Sequence, residues 1–149
     1  ICAPSRARKS SRTDGSTTPR LVAVHLNADA IRRHINKDLG FSPADRIEQA
    51  RRIGWLCDQV AKAGCPVIAD FICPTLEARA AFLEGGDAFI IWVDRIQSGR
   101  FDDTNRLFAA PDRFDLRILA EGSPDYWCDQ VIAQLETLPH YRQRRATSA

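Results

Sequence analysis

The sequence lacks the features that mark membrane, secreted or nucleic-acid-binding proteins. No apolar run approaches the roughly 20 residues that a helix needs to cross a bilayer. The N-terminus has no apolar segment of the kind that a secretory signal requires. A formal net charge of +2 is too small to indicate nucleic-acid binding by itself. We therefore expect neither a membrane partner nor a nucleic-acid partner.

Cysteine usage argues against a disulfide framework and a cysteine-based zinc site. The five cysteines are an odd number and contain no Cys-x-x-Cys pair. Reduced thiols fit this pattern best, so we expect a reducing compartment and a cytoplasmic protein. Methionine is absent, and we therefore expect Ile1 to begin a processed chain or a fragment.

What the chain does have is enough sequence for one domain with a real core. A chain of about 150 residues buries roughly 70% of its unfolded surface, and this one has 149 residues with an apolar fraction of 44%. Both ends of the chain are locally basic, and solvated tails are the usual explanation. We expect the ordered domain to span residues 21–138, followed by a basic tail over residues 139–149.

Apolar runs alternate with helical patterns along this domain. Runs rich in valine and isoleucine predict buried strands over residues 21–26, 66–72, 88–94 and 114–119. Helical spacing predicts a helix from near Asn27, a long helix with Ser42 as N-cap and Gly64 as its stop, a short helix over residues 75–85, and a last helix opening at Ser123. The alternation predicts an α/β fold: a three-layer sandwich with a mainly parallel sheet. We place Trp55 and Trp127 in the core because both lie on apolar helical stripes.

Residues 26–74 carry a specific pattern. The segments INKDLGF and ADRIEQARRIG, followed by the strand PVIADFI and Cys-Pro, closely resemble the central part of adenylylsulfate (APS) kinases. These are P-loop enzymes that transfer the γ-phosphate of ATP to the 3′-hydroxyl of adenylyl sulfate. The resemblance implies a P-loop kinase fold, ATP and Mg²⁺ as cofactors, small-molecule nucleotides as partners, and a role in sulfate assimilation. Oligomers are common in that family, so a homodimer is one expectation, although no stretch marks an interface.

The resemblance also implies roles for single residues. Asp29 falls on the second acid of the family's Asp-Gly-Asp, where it would help with Mg²⁺ and accept the proton of the attacking hydroxyl; Asn27 replaces the first acid. Without the resemblance, Asp29 is an acid that compensates a helix dipole. Arg32, Asn36 and Arg46 match residues expected to hold the phosphosulfate, since guanidinium groups suit bidentate contacts with oxyanions.

Three further positions match the acceptor side of the family. Phe41 could stack on the adenine or, alternatively, be a core residue after Gly40. Cys73 and Pro74 stand where the family has Ser-Pro, so Cys73 could contact the substrate. A nucleophilic role for Cys73 is not implied, because phosphoryl transfer needs no thiol nucleophile. We assign no role to the histidines, since the sequence shows no paired acid for them.

The stretch APSRARKSS, from Ala3 to Ser11, aligns with the phosphate-binding loop GxxxxGK[ST] but lacks its glycines. On the resemblance, Lys9, Ser10 and Ser11 form the ATP-binding part, with Ser10 as a Mg²⁺ ligand beside Asp29. Side chains at positions that need a left-handed backbone cost roughly 1–2 kcal/mol. The alternative is a basic coil, and residues 1–20 could be disordered.

The neighbourhood of this loop is also incomplete. Only two residues precede it, and ten positions separate Ser11 from Leu21, whereas a parallel crossover takes a dozen or more. The first βαβ unit is therefore expected to be incomplete. In the resembled family a long basic lid segment follows the third strand. The corresponding segment is shorter here, and Arg100, Phe101 and Arg106 are the candidates to take its part. Two functional alternatives stay open: a relative that binds nucleotide without catalysis, and a kinase of another small hydroxylated metabolite.

Overall fold

Four strands and five helices alternate along the described part of the chain, which is residues 23–96, 99 and 102–139 of a computed structural model. In chain order they are β1 (Val24–Asn27), α1 (Ala28–His34), α2 (Pro43–Lys62), β2 (Val67–Asp70), α3 (Leu76–Phe82), β3 (Ile91–Asp94), α4 (Asp102–Leu107), β4 (Leu116–Leu119) and α5 (Pro124–Leu135). Every described element that the sequence predicts is present, and α4 is an addition that it did not predict. Within these residues no helix has the length and apolar character needed to cross a membrane.

The strands are all parallel to their neighbours, as the alternation predicts. β1 pairs with β2 from Val24 opposite Val67 to Asn27 opposite Asp70, and β3 pairs in the same way with β4. Among the described residues the strands therefore form two hydrogen-bonded pairs, β1–β2 and β3–β4. The sequence predicts a single sheet. Each strand is also shorter than its apolar run, because hydrophobic character continues into the flanking loops while ladder pairing stops.

The long helix α2 begins and ends where the sequence predicts. The Ser42 hydroxyl accepts from the backbone N–H of Asp45, the Asp45 carboxylate accepts in return from the Ser42 backbone, and Pro43 occupies the first turn. At the other end Gly64 adopts φ = +87°, a conformation that glycine accepts without a steric cost. Both ends of α2 are thus determined locally.

The main core lies between α1, α2 and the β1–β2 pair. Ala28, Ile31, Ile53, Cys57 and Ala69 form one buried cluster. α2 approaches α3 closely at Gly54, where a Cβ would lie 2.1 Å from the carbonyl oxygen of Phe82. Glycine is required there because any side chain would collide with the backbone of α3.

The two tryptophans differ from the prediction. Trp55 lies on α2 with 64% of its surface exposed, so its assignment to the core is wrong: no described element covers most of this side chain. Trp127 is half-buried on α5, and its indole N–H donates to the carbonyl of Glu121 at 2.7 Å. Apolar spacing on a helix indicates a face, but a neighbour must cover that face before it becomes core.

Candidate functional site

Two guanidinium groups flank one aromatic ring at the start of α2. The Cζ atom of Arg32 lies 4.8 Å from the centre of the Phe41 ring, and that of Arg46 lies 5.7 Å from the same ring. Phe41 is 66% exposed, so the alternative of a core phenylalanine is wrong. The arrangement presents an exposed aromatic ring together with two positive charges, which suits an aromatic anion.

Backbone carbonyls of the α1–α2 loop hold both arginines in place. Arg32 Nη1 donates to the carbonyls of Leu39, at 3.5 Å, and of Gly40. Arg46 Nε donates to the carbonyl of Phe41 at 2.9 Å. The loop therefore fixes the directions of the two guanidinium groups without neutralising either charge.

Burial and a neighbouring positive charge both act on Arg32. Partial burial and the nearby charge of Arg46 hold the pKa of Arg32 below its usual value, while the carboxylates of Asp45 and Asp29 act in the opposite direction. A doubly charged anion bound between the arginines would relieve their mutual repulsion. Asp29 belongs to the same electrostatic neighbourhood, as the resemblance implies.

Asp29 occupies the first turn of α1, directly after β1. Asn27 is the N-cap of this helix, and its side chain accepts from the backbone N–H of Ala30. Asp29 itself is exposed, so its carboxylate can reach a ligand. Its place at the carboxyl end of a parallel strand is where ligands of such sheets bind.

Arg46 has a partner that the sequence did not reveal. Its Nη2 atom lies 2.7 Å from Asp103 Oδ2 and 3.3 Å from the hydroxyl of Thr104, both on α4. The Arg46 side chain is only 12% exposed, whereas that of Asp103 is 59% exposed. α4 thus supplies a carboxylate to a group expected to bind an anion, and no sequence signal distinguished Asp103 from its acidic neighbour Asp102.

Asn36 is a buried polar residue just after α1. It is 3% exposed and donates to Gln49 Oε1 at 2.9 Å. Gln49 in turn donates to the carbonyl of Ala28 at 3.0 Å. These two buried hydrogen bonds join α1 to α2, so the observed contacts of Asn36 are structural.

Cys73 and Pro74 follow β2 and form a second group. Cys73 adopts φ = +44°, a strained conformation for a residue with a side chain. Burial raises the pKa of its thiol to about 12, against the opposing effect of Arg79. The carbonyl of Pro74 accepts from the backbone N–H of Ala109 at 2.8 Å, so the chain that follows α4 links this group to the arginine site.

Several predicted site residues lie outside the described part of the chain. These are Lys9, Ser10 and Ser11 on the ATP-binding side, and Arg100 and Phe101 of the reduced lid. Arg106, the remaining lid candidate, is exposed on α4. The described residues therefore carry the acceptor side of the predicted site.

The described residues fit Mg²⁺ in a limited way. No group of three or more histidine, cysteine, aspartate or glutamate side chains among them is arranged to hold a metal ion. Mg²⁺ in phosphoryl-transfer sites is usually bound by one or two carboxylates together with substrate phosphates. The exposed carboxylate of Asp29 suits that arrangement, and a dedicated all-protein cage is not needed.

One histidine does have an acidic partner. His25 Nε2 lies 3.1 Å from Asp70 Oδ2, which corrects the statement that the histidines lack a paired acid. Asp70 is the last residue of β2, opposite Asn27. The predicted strand runs on to residue 72, so in the sequence Asp70 lies inside the strand and does not stand out as a residue at its end.

Comparison with known proteins agrees with this geometry. The family model of adenylylsulphate kinase matches residues 16–109. The adenylyl-sulfate kinase of Oceanobacillus iheyensis is 46% identical over 55 residues, which are 37% of this chain and 28% of that protein. The bifunctional enzyme NodQ of Azospirillum brasilense is 39% identical over 72 residues, 46% of this chain and 12% of that enzyme. The chain thus matches less than a third of either relative's length.

Solved structures extend the likeness to the fold. The APS kinase CysC of Mycobacterium tuberculosis, solved in complex with AMPPNP and APS, has a TM-score of 0.65 and 27% sequence identity. The match covers 78% of this chain and 81% of that one. A Cys556Ala mutant of the same enzyme gives a TM-score of 0.64 with 30% identity. The α/β P-loop kinase fold predicted from the sequence is therefore confirmed.

Proposed function

Because the chain belongs to the adenylylsulphate kinase family, we propose that it transfers the γ-phosphate of ATP to the 3′-hydroxyl of adenylyl sulfate. The observation that supports this most is the pair of guanidinium groups of Arg32 and Arg46 around the exposed ring of Phe41. An adenine can stack on that ring while the phosphosulfate lies against the arginines. One small surface thus offers both kinds of contact that adenylyl sulfate requires.

Orientation is the main contribution of these three residues. Phosphoryl transfer involves little covalent chemistry for the protein, and catalysis rests on positioning and charge stabilisation. With the base on Phe41 and the phosphosulfate on the arginines, the ribose between them is proposed to lie beside α1, the helix that carries Arg32. Cys73 and Pro74, at the end of the neighbouring strand, are proposed to border the acceptor, and Asn36 to keep α1 and α2 aligned.

Asp29 is the proposed proton acceptor. The 3′-oxygen of the acceptor forms a bond to the γ-phosphorus, the bond from that phosphorus to the bridging oxygen of ATP breaks, and ADP leaves with that electron pair. The hydroxyl proton passes to the Asp29 carboxylate. On the donor side we propose that Lys9 holds the β- and γ-phosphates, with Ser10 and Ser11 beside it. Mg²⁺, held by Ser10, Asp29 and the phosphates, would neutralise charge on the transferred group.

The direct test is transfer of label. The chain is incubated with Mg²⁺, γ-labelled ATP and adenylyl sulfate, and label is sought on the 3′ position of the sulfonucleotide. We expect transfer in the unchanged chain and about 10²–10⁴-fold less in Asp29→Ala, the range typical for loss of a general base.

Arginine variants identify the acceptor surface in the same assay. Arg32→Ala and Arg46→Ala should each weaken adenylyl sulfate binding, so that the KM for adenylyl sulfate rises roughly 10- to 150-fold. That is the loss expected when a charge-assisted hydrogen bond is removed. Arg33→Ala, which changes an exposed arginine on the same helix, is the matched control and should have little effect. Equal losses for Arg33 and Arg32 would contradict the proposed surface.

A second candidate function is a relative that binds a nucleotide or sulfonucleotide without transferring phosphate. It is favoured by the composition of the loop, where Ala3 and Arg8 replace the motif glycines and Arg6 replaces a further glycine of the family loop. Absence of Mg-ATP binding in calorimetry would exclude the kinase and leave the binding relative, because only the kinase requires Mg-ATP. Transfer to another hydroxylated metabolite would instead indicate a kinase with a different acceptor.

The setting of the domain is part of the proposal. We place the kinase-like domain at residues 21–138, between the degenerate loop segment 1–20 and the basic tail 139–149. A cytoplasmic location follows from the cysteine usage, and a homodimer from the family resemblance. Sedimentation equilibrium on the purified chain tests the homodimer.

A further inference from the structure

A chain of polar contacts joins β2 to the first turn of α1. His25 Nε2 lies 3.1 Å from one carboxylate oxygen of Asp70. The other oxygen of Asp70 accepts from Asn27 Nδ2 at 2.9 Å. The side-chain oxygen of Asn27 accepts from the backbone N–H of Ala30 at 2.9 Å. We call these four groups the cap relay.

The relay fixes which way the Asn27 amide points. An amide has a donating NH₂ end and an accepting oxygen, and an ionised carboxylate can only accept. Asp70 therefore draws the NH₂ end towards itself and leaves the oxygen for Ala30. If the amide turned over, its oxygen would face a carboxylate and its NH₂ group would face a backbone N–H, so neither hydrogen bond would form.

The helix that this cap begins is short and carries candidate site residues. α1 has seven residues, with Asp29 in its first turn and Arg32 in its last. So short a helix is not stable by itself and depends on its cap and its tertiary contacts. Ala28 and Ile31 anchor its buried side, while the N-cap sets the path of the chain from β1 into the turn that holds Asp29.

We propose that Asp70 is a positioning residue for the acceptor site. It holds the Asn27 amide in the orientation that caps α1, and the cap places Asp29 and Arg32 relative to the ring of Phe41. The effect of Asp70 on adenylyl sulfate binding rests on the function proposed above. The acid of this polar pair lies on β2 and the amide on β1, at positions opposite each other in the parallel ladder.

Reversing the pair tests the relay. Asn27→Asp alone sets two carboxylates against each other and should reduce protection of the Ala30 amide from hydrogen exchange by roughly five- to thirty-fold. Asp70→Ala should do the same because the amide is no longer held. In the double variant Asn27→Asp with Asp70→Asn, the new amide on β2 donates to the new carboxylate on β1, which still caps Ala30. Protection should return to within about twofold of the original.

A second readout separates positioning from a local structural role. In a chain that binds adenylyl sulfate, the single variants should weaken its binding and the double variant should restore it. Asp38→Asn, which changes an exposed ion pair with Arg52, is the control and should alter neither quantity.

Three outcomes decide between the claims. Unchanged protection in Asn27→Asp, or no recovery in the double variant, overturns the relay. Altered protection with unchanged affinity for adenylyl sulfate overturns the positioning role. If the unchanged chain binds no adenylyl sulfate, the proposed function fails, and protection of Ala30 still decides whether Asp70 fixes the cap.

Discussion

Two helices that begin with the same capping signal are buried to different extents in the two halves of the described chain. α2 in the first half (β1 to α3) and α5 in the second half (β3 to α5) both begin with a serine N-cap followed by proline. α2 buries five residues and α5 buries none. Local signals therefore establish where a helix begins, and only tertiary neighbours decide how much of it becomes core.

The difference in packing between the halves also bears on the candidate acceptor site. The buried cluster of Ala28, Ile31, Ile53, Cys57 and Ala69 belongs to the first half, which also carries Arg32, Phe41 and Arg46. A binding surface built on a packed scaffold keeps its geometry better than one on loosely packed elements. The second half contributes two described contacts to the arginine pair, both made by α4 to Arg46: the carboxylate of Asp103 and the hydroxyl of Thr104.

The largest expected effect comes from the core residue Ile53. Its side chain is fully buried, so Ile53→Ala should lower the free energy of unfolding by about 2–5 kcal/mol. Ile132 on α5 is 47% exposed, and Ile132→Ala should change it by no more than about 0.5 kcal/mol. Urea unfolding of the two variants measures both. Equal losses would show that the halves are packed alike.

Thiol chemistry should distinguish the halves next. Burial raises the pKa of Cys57 to about 11 and that of Cys73 to about 12, whereas Cys128 on α5 is exposed. The thiolate is the reactive form, and with such pKa values both thiols stay almost entirely protonated at pH 8. Alkylation by iodoacetamide, followed by peptide mass spectrometry, should be about 100-fold or more slower at Cys57 and Cys73 than at Cys128.

The pH dependence of alkylation tests whether the pKa values of these thiols are raised. Rates at Cys57 and Cys73 should rise about tenfold per pH unit between pH 7 and 9 without levelling, because their pKa values lie above this range. A plateau at Cys73 below pH 9 would mean that its thiol is not buried as described.

The smallest expected difference concerns the two serine caps. Ser42 takes part in a capping box with Asp45, whereas the side chain of Ser123 accepts a hydrogen bond from the backbone N–H of Tyr126. Ser42→Ala should therefore cost about 1–2 kcal/mol and Ser123→Ala about 0.5–1 kcal/mol, at the two ends of the usual range for caps. Thermal unfolding followed by circular dichroism gives both values. A larger loss for Ser123 would reverse the comparison.

Features that depend on near neighbours in the chain were predictable from the sequence. The start of α2 at Ser42 and its end at Gly64 rest on local chemistry, and the parallel strands follow from alternating patterns. The exposure of Trp55 was not predictable, because it depends on whether another element covers that face of α2.

The same distinction holds in the site. The family resemblance assigns Arg32, Phe41 and Arg46 to the acceptor side, and in the structure the three lie in one neighbourhood although they come from different elements. The contacts of Asp103 with Arg46 and of Asp70 with Asn27 join residues 57 and 43 positions apart. Nothing in the local sequence of either acid indicates such a partner.

The most direct test of the account is to map where adenylyl sulfate binds. Backbone amide shifts of the ¹⁵N-labelled chain are followed as adenylyl sulfate is added without ATP. We predict saturable shifts around Arg32, residues 39–41 and Arg46, with small changes on β4 and α5. Shifts confined to the β3–β4 pair and α5, or no saturable shift at all, would contradict the claim that the first half carries the acceptor site.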